Sequence, residues 1–295
     1  MQARRFALRT LLGAGLLILA LAGYVWLTAW RPPPEYAGYG AIELAVPVMT
    51  AEQYQDVVAT HRQPYVYELQ SIAGSVLVYG AMHTKEPGDP QIEDLRQQWE
   101  RFQPTAALVE GRMGFLPADF VNPIRQFGES GAVFGLAKAD DVPAYTWEPP
   151  IARELGHVLE EFTAEQVALF YVLRPYFSNL RHGKPADPEG YVEEYRRKRT
   201  QWPGLEGTLP SMAAIDAAWK RDFPDSPDWR EESDQDGLPG YLGAIANRSN
   251  AARDEHLVRV ILDLTRQGRR VFAVMGSSHA VKLEPALRAA RVEGE

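Results

Sequence analysis

Two stretches of this chain, far apart in sequence, end in the same way. One is Ser75-Val76-Leu77-Val78-Tyr79-Gly80-Ala81-Met82-His83. The other is Val271-Phe272-Ala273-Val274-Met275-Gly276-Ser277-Ser278-His279. Each is an apolar, β-branched run of the kind that forms a buried strand, and each breaks at a glycine that lets the chain turn. Each therefore delivers one imidazole just past the carboxyl end of a strand. In open α/β sheets that edge is where ligands bind. The pattern predicts a fold in which the two histidines meet.

Two further runs end alike. Thr105-Ala106-Ala107-Leu108-Val109-Glu110-Gly111 reads as a strand closing on Glu110, and Val142-Pro143-Ala144-Tyr145-Thr146-Trp147-Glu148 as one closing on Glu148. Between His83 and Glu110, Asp89-Pro90 gives a cap and a first-turn proline, and Ile92, Leu95, Trp99 and Phe102 form one helical stripe. Strand, helix, strand is a parallel crossover unit. Upstream, Ala41 to Val46 reads as a short strand and Ala51 to His61 as a helix. Tyr65 to Leu69 pairs with Ser75 to Tyr79 across a turn at Ala73-Gly74. The fold class predicted is a mixed, largely parallel α/β sheet with flanking helices over residues 41–295.

A helical insertion is expected over about residues 151–250. It opens with the capping-box pattern Thr163-Ala164-Glu165-Gln166. A charged helix from Asp187 to Thr200, an amphipathic one from Ser211 to Phe223 and an acidic loop from Asp225 to Asp236 follow. Leu257, Val260, Ile261 and Leu264 then define a buried helix face that Gly268 ends, with Arg253 and His256 one turn earlier on it. A closing helix is expected near Leu283 to Ala290.

The N-terminus is of another kind. Arg4, Arg5 and Arg9 precede an uncharged stretch of 21 residues from Thr10 to Trp30. That length suits one transmembrane helix, and the basic flank predicts a cytoplasmic N-terminus with the domain facing the periplasm or exterior. Trp26 and Trp30 suit the far interface. The rival is a cleaved signal peptide at Ala20-Leu21-Ala22. Residues 32–40, opening Pro32-Pro33-Pro34, read as a stiff linker. The first 31 residues hold four basic and no acidic side chains, so the remainder carries 27 basic against 39 acidic, a net of −12. Such a balance argues against nucleic acid and anionic lipid as partners of the domain, and suits cationic substrates or metal ions. With no cysteine in 295 residues, disulfides, thiolate metal sites and cysteine nucleophiles are excluded.

If the four strands are parallel neighbours, His83, Glu110, Glu148 and His279 share one edge. Two imidazoles with one or two carboxylates suit manganese, cobalt, zinc or iron. A metal with an open position makes a nucleophile of water near neutral pH, and a free carboxylate can act as general base. Arg112 and Arg253 are candidates for holding an anionic group. Each residue alone has a plainer explanation. A histidine after a strand is more often structural, a glutamate can pair with an arginine, and His256 can simply pack. His61, His157 and His182 sit in polar contexts and read as surface residues. Ser278 beside His279 does not make a nucleophile elbow.

Gly80-Ala81-Met82-His83, Glu110, Arg253 and Gly276-Ser277-Ser278-His279, in this order, resemble the TraB/PrgY/GumN and Tiki superfamily, which has erythromycin esterase-like and ChaN-like relatives. The resemblance covers roughly residues 64–290, with the middle hundred unmatched. It implies a metal-dependent, protease-like site in which His83, His279 and Glu110 are ligands and Arg253 lies on the family's Arg-Asn/Asp helix; with it, the strand-end reading makes Glu148 a second carboxylate and Arg253 an orienting residue. The expected activity is hydrolysis of a peptide or a small amide or ester by an enzyme anchored in a bacterial inner membrane. The alternative is a non-catalytic haem-, iron- or peptide-binding protein.

Overall fold

The computed structural model describes residues 2–36, 38, 42–180, 183–232 and 237–292; of residues 2–12, 291 and 292 it describes only the backbone. The chain divides into two compact units. One comprises Met1–Met49, Tyr54–Glu148 and Val258–Glu295, the other Thr50–Gln53 and Pro149–Leu257.

The first unit is built on a five-stranded sheet in the order β1-β2-β5-β3-β4. Its strands are β1 (Tyr65–Gln70), β2 (Ser75–Ala81), β3 (Ala106–Val109), β4 (Ala144–Thr146) and β5 (Arg270–Gly276). β1 is antiparallel to β2, as the Ala73-Gly74 turn requires, and every other pairing is parallel. The continuous apolar runs of β2 and β5 follow from burial on both faces. Leu77, Tyr79, Phe272 and Val274 share one face with Leu95, Trp99 and Phe102 of α3 (Pro90–Phe102) and Val133, Phe134 and Ala137 of α4 (Pro123–Ala139). On the other face lies α10 (Ser277–Val292), where the Tyr67 hydroxyl donates to the Ala280 carbonyl at 3.0 Å.

The α3 stripe falls where its periodicity puts it. Ile92, Leu95, Trp99 and Phe102 are all buried, and Asp89 accepts the Gln91 N–H at 2.9 Å as N-cap. Other expectations change. Described residues 42–46 form no strand, and Ala41 lies outside the described residues. The helix expected over Ala51 to His61 is shorter, α2 (Ala51–Gln55), and breaks into turns. The closing helix starts six residues before Leu283, at Ser277, so β5 runs straight into it.

The N-terminal region forms α1 (Gln2–Thr28). Leu16, Leu17, Ile18, Leu19, Leu21 and Leu27 are exposed on it. The expected membrane-spanning helix is not supported, because among the described residues no helix is long and apolar enough to cross a membrane. The side chains of Arg4, Arg5 and Arg9 and the start of the expected span fall among residues 2–12. Trp30 exchanges backbone hydrogen bonds with Leu116 and packs edge-on against Phe134 at 5.4 Å. Nor are Pro32 to Pro34 a free spacer, since the Pro34 carbonyl accepts the Thr146 N–H at 3.0 Å. The segment therefore covers the open edge of β4, which would otherwise expose unpaired backbone.

The second unit is helical, with α5 (Ile151–Leu159), α6 (Ala164–Asn179), α7 (Pro188–Arg199), α8 (Met212–Asp222) and most of α9 (Tyr241–Arg266). Phe170, Tyr176, Phe177, Trp219 and Trp229 centre its core. The capping box at Thr163 forms in both directions. Asp225 to Glu232 of the expected acidic loop form turns and irregular chain, and residues 233–236 lie outside the described residues. Within α9, Arg253 and His256 are buried, as their position on the apolar face predicts.

Candidate active site at the carboxyl edge of the sheet

Because β2, β5, β3 and β4 are parallel neighbours, all four end on one edge, and His83, His279, Glu110 and Glu148 follow those ends. The two histidines do come together. A Cβ placed on Gly276 would stand 3.0 Å from His83 Nε2 and 3.8 Å from His279 Cδ2. Both rings thus lie over the Gly276 α-carbon, an approach that glycine permits because it has no side chain.

The two Gly-x-x-His stretches reach this place differently. After β2 the chain leaves as an extended loop, and the His83 side chain is 59% exposed. The loop is pinned at its backbone: Gln91 accepts the Met82 N–H at 2.8 Å and donates to the Met82 carbonyl at 2.7 Å. After β5 the chain enters α10 directly, so His279 sits in a first helical turn and is buried. Its ring meets Trp147 at 5.5 Å in an edge-on contact, and the Trp147 indole N–H donates to the Val274 carbonyl at 3.0 Å.

Glu110 links two strand ends. Its backbone N–H donates to Ser130 Oγ at 3.1 Å, and its Oε2 accepts the Gly276 N–H at 3.2 Å. Glu148 is buried at the end of β4, its N–H donating to Thr146 Oγ1 at 3.2 Å. Neither Glu148 nor His279 is among the residues lining the cavity of about 130 Å³ formed by His83, Glu110, Phe127, Glu129, Ser130, Val274 and Met275. Arg112 is exposed. Arg253 belongs to the second unit, where it donates to Asn250 Oδ1 at 3.1 Å. Ser277 and Ser278 are half-buried in the first turn of α10. His157 is exposed, while His61 is half-buried and shares a 3.0 Å hydrogen bond with the Tyr54 hydroxyl. His182 lies outside the described residues.

Sequence reasoning missed Glu129. It sits inside α4, just after a break at Gly128 (φ 58°, ψ −139°). That backbone favours glycine, and a Cβ there would stand 2.8 Å from the Thr84 carbonyl oxygen. The break turns the buried Glu129 carboxylate toward the His83 loop. It accepts the Thr84 N–H and, at 3.4 Å, a Gln91 Nε2–H, and its Oε2 lies 3.6 Å from His83 Nδ1. Behind the loop, burial pushes the Tyr79 phenol well above its usual range, and its hydrogen bond to Asp94 adds to the shift.

Imidazole nitrogens and carboxylate oxygens are donors that suit divalent transition metals. Among the described residues, however, no group of three or more histidine or acidic side chains stands ready-placed to hold a metal ion. Comparisons with protein-family models, with curated proteins and with solved structures return no match to this chain.

Proposed function

We propose that this chain is a metal-dependent hydrolase, peptidase-like, acting on a peptide or a small amide or ester. His83, Glu110 and His279 would hold the metal, and the resemblance to the TraB and Tiki superfamily motivates the reading. The observation that carries it is the meeting of both imidazoles over Gly276, with the Glu110 carboxylate held by the N–H of that residue. When bound, a divalent transition metal would supply a water nucleophile near neutral pH. The chain's own residues bind and orient. Gly276 lets the rings approach its backbone, the Glu110 carboxylate is held by the Gly276 N–H, and Trp147 walls one side of His279.

Glu148 stays a candidate second carboxylate by its place at the sheet edge, and Arg253 stays a candidate orienting residue from its place on the apolar helix face and from the resemblance. Attachment to a bacterial inner membrane through α1 is part of the proposal. Its support is the basic N-terminal flank and the exposure of apolar side chains at four successive positions, Leu16 to Leu19, which covers all sides of a helix.

Elemental analysis of the purified full-length protein tests the metal assignment. The expected result is near-stoichiometric manganese, iron, cobalt or zinc, lost in His83→Ala. Unchanged metal content in that variant would defeat the ligand assignment.

A further inference from the structure

We propose that Glu129 is the positioning residue for His83. Its buried carboxylate holds the proton of the ring on Nδ1 and so leaves the Nε2 lone pair facing Gly276 and His279. The inference deepens the hydrolase reading and rests on it for its purpose, but its geometry stands without it.

Three observations converge. The first is the direction of the ring: Nδ1 is the nitrogen 3.6 Å from Glu129 Oε2, and Nε2 is the nitrogen facing the space over Gly276. A neutral imidazole has one N–H and one lone pair, and the partner of one nitrogen fixes the role of the other. A carboxylate behind a working histidine is the usual way to fix both its tautomer and its orientation.

The second is the burial of Glu129, which is 5% exposed. A desolvated carboxylate is costly unless donors surround it. The Thr84 N–H and Gln91 Nε2–H supply two of its contacts, and both groups belong to the frame that pins the His83 loop. At 3.6 Å the approach to Nδ1 is longer than a hydrogen bond. The His83 side chain is 59% exposed, so its ring has room to rotate, and the proposal requires that it close this gap.

The third is the break at Gly128. An uninterrupted α4 would not need a residue at φ 58°, and the turn brings the helix backbone against Thr84 so closely that no Cβ fits. The helix is broken at the residue before Glu129, where the change of direction sets that side chain.

Histidine ring ¹⁵N NMR on labelled, chelator-treated full-length protein tests the proposal, at a pH where the rings are neutral. His83→Gln identifies the resonance. The expected wild-type spectrum shows His83 protonated on Nδ1 and bare on Nε2. Glu129→Ala is expected to move the ring toward the Nε2–H form, and so is Glu129→Gln, whose single amide oxygen is taken by the Thr84 N–H and the Gln91 Nε2–H and whose NH2 then faces Nδ1. A wild-type His83 carrying its proton on Nε2 would overturn the assignment, as would an unmoved tautomer in Glu129→Ala. If Glu129→Ala does not fold, the wild-type and Glu129→Gln spectra still decide. The expected tautomer in a protein that purifies without metal would defeat the hydrolase reading alone and leave the positioning role standing.

Discussion

The Glu110 carboxylate reaches from the end of β3 to the end of β5, where its Oε2 accepts the Gly276 N–H at 3.2 Å. One side chain thus ties together two strand ends that the sequence places far apart. The tie and the charge can be separated by substitution. Glu110→Gln keeps an acceptor for the N–H, so its urea unfolding midpoint should stay near wild type while bound metal is lost. Glu110→Ala leaves the Gly276 N–H without that acceptor, at an expected cost of about 1–3 kcal/mol. Equal stability of the two variants would show that the contact contributes nothing to the fold.

The two motif glycines should respond differently to alanine. A Cβ at Gly80 would meet Ala280 Cβ at 2.6 Å, the Tyr65 carbonyl oxygen at 2.8 Å and Ser277 Cα at 3.1 Å. Backbone surrounds that position and cannot yield, so Gly80→Ala is expected to destabilise by about 1–3 kcal/mol or more. At Gly276 the atoms nearest the new methyl belong to the His83 ring, which is exposed and can swing away. Gly276→Ala should therefore melt close to wild type but bind metal poorly, since the displaced ring no longer faces His279. Calorimetry and elemental analysis on the same two samples decide between these outcomes.

The contrast between these glycines also marks how far local pattern reaches. His83, Glu110, Glu148 and His279 are legible because each closes an apolar strand, and in a parallel sheet strand ends share an edge by construction. Glu129 is not, because its place depends on a break inside a helix. The signal for it is fainter. Asn122-Pro123 repeats the cap-and-proline start of Asp89-Pro90, and Glu129 is the lone charge between Arg125 and Lys138. Three glycines, 128, 131 and 135, lower the helical propensity of that stretch and hide its period. The misread Pro32 to Pro34 segment has a related cause. A proline run looks like a spacer from its own composition, and only the unpaired edge of β4 gives it somewhere to lie.

Alkaline pH should loosen the first unit through tyrosines that include Tyr65 and Tyr36. Burial, with a hydrogen bond to Glu284 adding, pushes the Tyr65 phenol up to about 12, and burial with a hydrogen bond to Asp263 takes Tyr36 to about 12 as well. In the unfolded chain both titrate near 10. The folded state holds the proton more tightly, so this stabilisation is complete below about pH 10 and is lost as pH rises from there toward 12. Urea midpoints should show no change from these groups between pH 7 and 9 and a fall above pH 10. Tyr65→Phe should make that fall shallower. A fall equally steep in the variant would assign the alkaline transition to other groups.

The two histidines face the same space but are held by different means, so their removal should separate stability from binding. The His83 ring is largely exposed, and its loop is fixed by Gln91 and Glu129 through backbone atoms that His83→Ala leaves untouched. Its unfolding free energy should stay within about 0.5 kcal/mol of wild type, as for surface substitutions generally. His279 is 9% exposed, packs edge-on against the buried Trp147 and belongs to the turn that joins β5 to α10. His279→Ala opens a gap there and should cost about 1–3 kcal/mol. If both imidazoles serve one ion, the two variants should lose it equally despite that difference in stability. Metal retained by the destabilised His279→Ala protein and lost only from His83→Ala would place the ion on the Glu129 side of the cavity, away from His279.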